Sequence, residues 1–110
     1  MPTKKEAHMK NKLTVIAFIR AQDGRSEELG KRLLSLVEPS RKEPGCINYD
    51  VHLSNDDPNL WCMYENWRSQ ADLDAHFQTP PLQALVSDLA YLVEGELDMR
   101  YFSMRSELTA

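Results

Sequence analysis

The chain has 110 residues, 42% hydrophobic and 27% charged, enough for one globular core and outside the disordered and fibrous ranges. Its 13 basic and 17 acidic residues give a net charge of −4, which argues against a nucleic-acid partner. No apolar run approaches the ~20 residues of a membrane span, and none behind the basic start MPTKKEAHMKNK is long enough for a signal segment.

In chain order, residues 1–11 read as a loose tail, with His8 solvated. Leu13–Ile19 is a strand rich in β-branched residues, with Leu13, Val15, Ala17 and Ile19 facing one way and Ile16 and Phe18 the other. After the Gln22-Asp23-Gly24 turn, Ser26 is the expected N-cap of a helix reaching about Lys42. Its stripe is Leu29, Leu33, Leu36 and Val37, with Pro39 expected to kink or end it. Glu43-Pro44-Gly45 stops it. Cys46–Leu53 alternates, Ile47, Tyr49, Val51 and Leu53 against Cys46, Asn48, Asp50 and His52, which leaves His52 in solvent.

A turn at 54–58 leads to a second arm, Leu60–Trp67, with Trp61, Met63, Glu65 and Trp67 on one face. Ser69 caps a short helix with Asp72 in a capping-box position, and Leu73 and Phe77 form its contact stripe. Thr79 caps a second helix opened by Pro80-Pro81, whose apolar face is Leu82, Leu85, Val86, Leu89, Leu92 and Val93. Gly95 ends it, and Leu97–Met104 is a last strand.

Strand, helix, strand, strand, helix pair, strand is a βαββαβ order. With right-handed crossovers it gives an α+β, ferredoxin-like fold: one four-stranded antiparallel sheet with its helices on one face, over residues 12–105 as a single domain, with 106–110 a tail. The row Trp61, Met63, Trp67 is expected on the uncovered face. Burying an apolar side chain is worth ~1.5–3 kcal/mol, so a second copy is expected to cover that face as a homodimer. Cys46 and Cys62 show no CxxC or metal spacing, and Cys62 is placed opposite about residue 51. Both read as reduced thiols in a cytoplasmic protein.

Several of these segments together, Leu13–Arg20 with Gly24, Glu43-Pro44-Gly45-Cys46 with Tyr49, Glu65-Asn66-Trp67, and Leu73 through Pro80 with His76, resemble the antibiotic biosynthesis monooxygenase domain, closest to its quinol-monooxygenase branch. The resemblance runs from about Leu13 to Met104. It implies a dimeric α/β barrel and oxidation of a small phenolic or hydroquinone substrate by O2, without flavin, haem or metal.

His76, Glu65 and Tyr49 are the catalytic candidates, and Trp67, Trp61, Met63 and Phe18 the substrate-binding ones. A neutral imidazole suits removal of a phenolic proton; the alternative for His76 is a half-buried histidine bonded to a carbonyl or carboxylate. Glu65, a carboxylate among aromatics, either handles protons, orients His76, or pairs with Arg20, Arg100 or Arg68. Trp67 stacks on a substrate ring or packs a strand–helix corner. Tyr49 donates to a substrate oxygen or is a plain strand aromatic.

Competing activities are an isomerase or lyase of a small carbonyl compound, and a non-catalytic binder of small aromatics. Haem degradation fits less well, since that branch carries an Asn and a Trp where this chain has Ala17 and His76. No phosphate-binding glycine motif and no cofactor or metal motif is present.

Overall fold

The computed structural model describes residues 12–106. The expectations for residues 1–11, His8 among them, and for 107–110 lie outside the described residues. Four strands, β1 (Leu13–Arg20), β2 (Cys46–Leu53), β3 (Leu60–Trp67) and β4 (Asp98–Ser103), form one antiparallel sheet in the order β2-β3-β1-β4. Helices α1 (Ser26–Ser35), α2 (Val37–Arg41), α3 (Gln70–Phe77) and α4 (Pro80–Leu92) complete the ferredoxin-like fold. β1 and β3 are the two inner strands, and each carries apolar residues on both sides.

The buried row of β1 is Val15, Ala17 and Ile19, while Ile16 and Phe18 on the other side are half-buried. Register places Trp67 beside Leu13, Glu65 beside Val15, Met63 beside Ala17 and Trp61 beside Ile19. The tryptophan row therefore faces the helices, which corrects its expected place on the uncovered face. Strand alternation fixes which residues share a side, but contacts distant in sequence decide which side the helices cover. One such contact is Gly30 of α1: a Cβ there would lie 2.5 Å from the Trp61 ring.

The open face carries Ile16, Phe18, Tyr64 and Phe102 around a polar chain. Thr14 donates to Asn66, Asn66 to Asn48 at 2.8 Å and Asn48 to Asp50 at 3.0 Å. It is neither uniformly apolar nor paved with charge.

Local corrections have local causes. The first helix breaks at Leu36, ahead of Pro39, because a proline ring collides with the carbonyl four residues back, here that of Ser35. Ser26 is the first helical residue and not the cap; its hydroxyl donates to the Pro58 carbonyl and accepts from Trp61 Nε1 at 3.0 Å. Thr79 holds the N-cap position of α4 without capping it; its hydroxyl is turned toward the His76 carbonyl, to which it donates at 2.8 Å. In β2 a bulge between Cys46 and Asn48 resets the alternation, so Cys46 shares the helix-covered side with Tyr49. Cys62 pairs with His52 and Cys46 with Trp67, so the two sulfurs lie on opposite faces of the sheet and no disulfide joins them.

Gly45 is a second forced glycine. A Cβ there would lie 2.1 Å from Asp72 Cγ and 2.3 Å from Asp72 Cβ, near the root of that side chain, where it cannot swing away. Asp72 is bonded to Arg68 at 2.9 Å and to Ser69 at 2.8 Å. Gly45→Ala is therefore expected to cost about 1–3 kcal/mol by overpacking, read as a lower urea midpoint at unchanged slope.

Candidate active site

The site is built around α3. Ser69 caps it, accepting the Asp72 amide at 3.2 Å, and Leu73, fully buried, pins the helix to the sheet. His76 is three residues beyond Leu73 and so on the same side, which drives its ring under the sheet to 2% exposure. There the imidazole meets three aromatic rings: Trp67 at 4.6 Å, Tyr49 edge-on at 5.3 Å and Phe77 at 5.7 Å. Its Nδ1 lies 2.8 Å from Glu43 Oε2.

Glu43 is held in place by a tight turn, its amide donating to the Ser40 carbonyl and its carbonyl accepting from Cys46, both at 3.0 Å. A carboxylate only accepts hydrogen bonds, so this pairing assigns the proton to Nδ1 and leaves the Nε2 lone pair as the basic site.

Glu65 is 5% exposed, and its Oε1 accepts from Trp67 Nε1 at 2.9 Å. Burial pushes its carboxyl up to about 7; the Glu43 charge adds to the rise and the Trp67 N–H opposes it. The three arginines expected as partners are engaged elsewhere: Arg20 with Asp57 at 2.7 Å, Arg68 with Asp72 at 2.9 Å and Arg100 with Asp98 at 2.9 Å. Tyr49 is 2% exposed; burial drives its phenol far above the ordinary range, with Glu65 adding and the Ser40 hydroxyl opposing. It is a hydroxyl donor at any working pH.

Beside this cluster lies a cavity of ≈70 Å³. Tyr49, Glu65 and His76 are its polar lining. The remaining walls are apolar, including Ala17 and Met63 of the sheet, Leu89 of α4 and Leu97 ahead of β4. Of the seven residues read from the sequence, the structure gathers His76, Glu65, Tyr49, Trp67 and Met63. Trp67 stands behind the cavity, its ring tilted 39° to that of His76 and its indole N–H bonded to Glu65.

Trp61 lies elsewhere, against Gly30 and Ser26, and Phe18 is on the open face with the Arg100 guanidinium 5.4 Å above its ring. His52 is exposed, as expected, on an open groove beside β2. Sequence reasoning missed Glu43. Its one signal was its position, an acid opening the Pro-Gly turn that leads into the strand bearing Tyr49.

Among the described residues no group of three or more His, Cys, Asp or Glu side chains is placed to hold a metal. No helix among them is long and apolar enough to cross a membrane. The arrangement supplies an oriented base, a neutral phenol donor, a carboxyl that keeps its proton up to about pH 7, and an apolar space.

Comparison with known proteins follows the same line. An uncharacterized Synechocystis protein, sll1783, is 30% identical over 97 residues, spanning 88% of this chain and 66% of that protein. A protein of Escherichia coli K12 named "Probable quinol monooxygenase YgiN" is 34% identical over 82 residues, covering 66% of this chain and 79% of its own. The crystal structure of PA3566 from Pseudomonas aeruginosa superposes with a TM-score of 0.85 at 34% identity, covering 90% of this chain and 99% of that one. The family model described as antibiotic biosynthesis monooxygenase matches residues 12–88, and the chain belongs to that family.

Proposed function

We propose that the protein is a cofactor-free monooxygenase that oxidises a small phenolic or hydroquinone substrate with O2 in the cavity beside His76. The observation that carries the reading is the buried His76–Glu43 pair opening onto an otherwise apolar space. His76 Nε2 takes the phenolic proton and Glu43 balances the resulting imidazolium. Tyr49 donates to the phenolate oxygen, and Glu65 joins it below about pH 7, where burial keeps its carboxyl protonated.

The phenolate, now electron-rich, passes one electron to O2. The radical pair recombines in the apolar space to form a carbon–oxygen bond, and the imidazolium proton is returned to the peroxide. One oxygen atom stays on the ring and the other leaves as water. A hydroquinone thus becomes a hydroxyquinone, its own oxidation supplying the electrons.

The test is an oxygen electrode with reduced quinones and phenols in metal-free buffer, wild type against His76→Ala. Uptake above the autoxidation blank that is lost in the variant supports the reading. Turnover under nitrogen instead makes the same base and acid an isomerase, and binding without turnover makes the protein a binder of aromatics.

A second copy completes the assembly in this reading. Ile16, Phe18, Tyr64 and Phe102 on the open face form an apolar surface that a two-fold partner would bury, with the Thr14–Asn66–Asn48–Asp50 chain across its middle. Size-exclusion chromatography with light scattering is expected to give a dimer; a monodisperse monomer at micromolar concentration refutes it. Unbridged Cys46 and Cys62 suit a reducing compartment, so the address in this reading is the cytoplasm.

A further inference from the structure

The cavity beside His76 is too small for the ring it is assigned to receive. Its ≈70 Å³ is about half of the ~150 Å³ that takes up benzene in an apolar interior. A wall must therefore give way when a ring enters, and the sheet and α4 supply most of the lining.

The helical wall is fastened. Asp88 of α4 is paired with Arg32 at 2.7 Å, and Arg32 also donates to the Ala84 carbonyl at 3.1 Å. The Tyr91 hydroxyl donates to Glu28, and Gln83 donates to the Phe77 carbonyl at 2.6 Å. Displacing α4 breaks these bonds together.

The sheet wall is different in kind. Ala17 of β1 stands between Met63 of β3 and Met99 of β4, its direct cross-strand partners. A short side chain between two long, unbranched and flexible ones makes a slot whose sides can move. Met63 and Met99 are two strand spacings apart, about 9.5 Å, so the slot runs flat across three strands and suits a planar ring better than a chain. Glu65 stands two residues along β3 from Met63 and gives this region its polar end.

We propose that Ala17, Met63 and Met99 are the specificity-determining wall of the site. The two methionine chains move off the Ala17 slot to admit an aromatic ring, and the size of residue 17 limits how large a ring enters. The proposal rests on the cavity being the phenol site.

The test uses the full chain labelled with ¹³C at the methionine methyls, titrated under nitrogen with phenol and 2-naphthol. The Met63 and Met99 signals, assigned with Met63→Leu and Met99→Leu, are expected to move on binding. Ala17→Val is expected to weaken 2-naphthol about tenfold or more and phenol less than about threefold, since a pocket discriminates one methylene by about 10–200-fold. Asp88→Asn, which removes the charge that ties α4 to Arg32 and so loosens that wall, is expected to leave both affinities within about twofold, because in this account the helix does not move.

Should Ala17→Val not fold, Met99→Ala on the edge strand is expected to admit anthracen-2-ol about tenfold more tightly than wild type. Unmoved methyl signals with ligand bound, equal weakening of both ligands, or a large gain in affinity for Asp88→Asn overturns the proposal. Oxygen uptake whose ring preference ignores residue 17 defeats the wall and leaves the oxygenase. Ring-selective binding without uptake does the reverse, and binding of neither phenol defeats both.

Discussion

Replacing His76 with alanine is expected to slow oxygen uptake by a factor of about 10²–10⁴, the range lost with a positioned general base. The ring is 2% exposed and one nitrogen is engaged by Glu43, so only Nε2 can serve the substrate. Water entering the vacated space is a far weaker base than the imidazole.

Glu43→Gln separates two roles. Its side-chain oxygen still accepts from Nδ1, so the imidazole keeps its orientation, but the charge that balances the imidazolium is gone. Its kcat is expected to lie between those of the wild type and His76→Ala, with KM nearly unchanged, because the loss falls on the proton-transfer transition state. Uptake by His76→Ala within about threefold of wild type would leave the imidazole no part as base. Urea titration of both variants checks that each is folded at the assay temperature.

The second large effect concerns stability. The Glu65 carboxyl lies at about 7 in the folded protein against 4.5 in its ordinary state, because burial penalises the charge. A raised carboxyl means that the folded chain binds more protons than the unfolded one between these values. Its contribution is fully present below pH 4.5 and is lost as pH rises through 7.

At about 1.4 kcal/mol per unit, the loss by pH 8 is about 3 kcal/mol. Glu65→Gln stays neutral and keeps an oxygen for the Trp67 N–H, so it is expected to remove this slope. The variant should then exceed wild type by about that amount at pH 8 and by no more than about 1 kcal/mol at pH 5. The lowered carboxyls Asp57, Asp72 and Asp98 act below their ordinary value of 3.8, so this window is clear of them. Parallel curves of unfolding free energy against pH for the two proteins would sink the account.

The sequence showed the strands through their alternation, and the shared side of Trp61, Met63, Glu65 and Trp67 was readable from it. Which side that row would take was not, because parity carries no information about where helices pack. The Ile47 bulge was equally hidden, since an inserted residue leaves no mark in an apolar pattern.

His76 was visible because it sits one turn beyond a buried leucine on a short helix. Its partner was not: Glu43 is 33 residues away, and only the folded turn brings it near. Glu65 was legible as an anomaly, a carboxylate among aromatics, yet an indole donor took the place of the arginines considered for it.

Gly45 has a consequence for the chemistry as well as the packing. Its carbonyl accepts the Arg68 amide at 2.8 Å while Asp72 lies flat against its α-carbon, which staples the Glu43 turn to the start of α3. In the proposed reaction the base and its counter-charge thus ride on two segments held together by one joint that does not line the cavity. Fraying of that joint would slacken the pair and idle the proposed reaction while every residue of the cavity stayed intact.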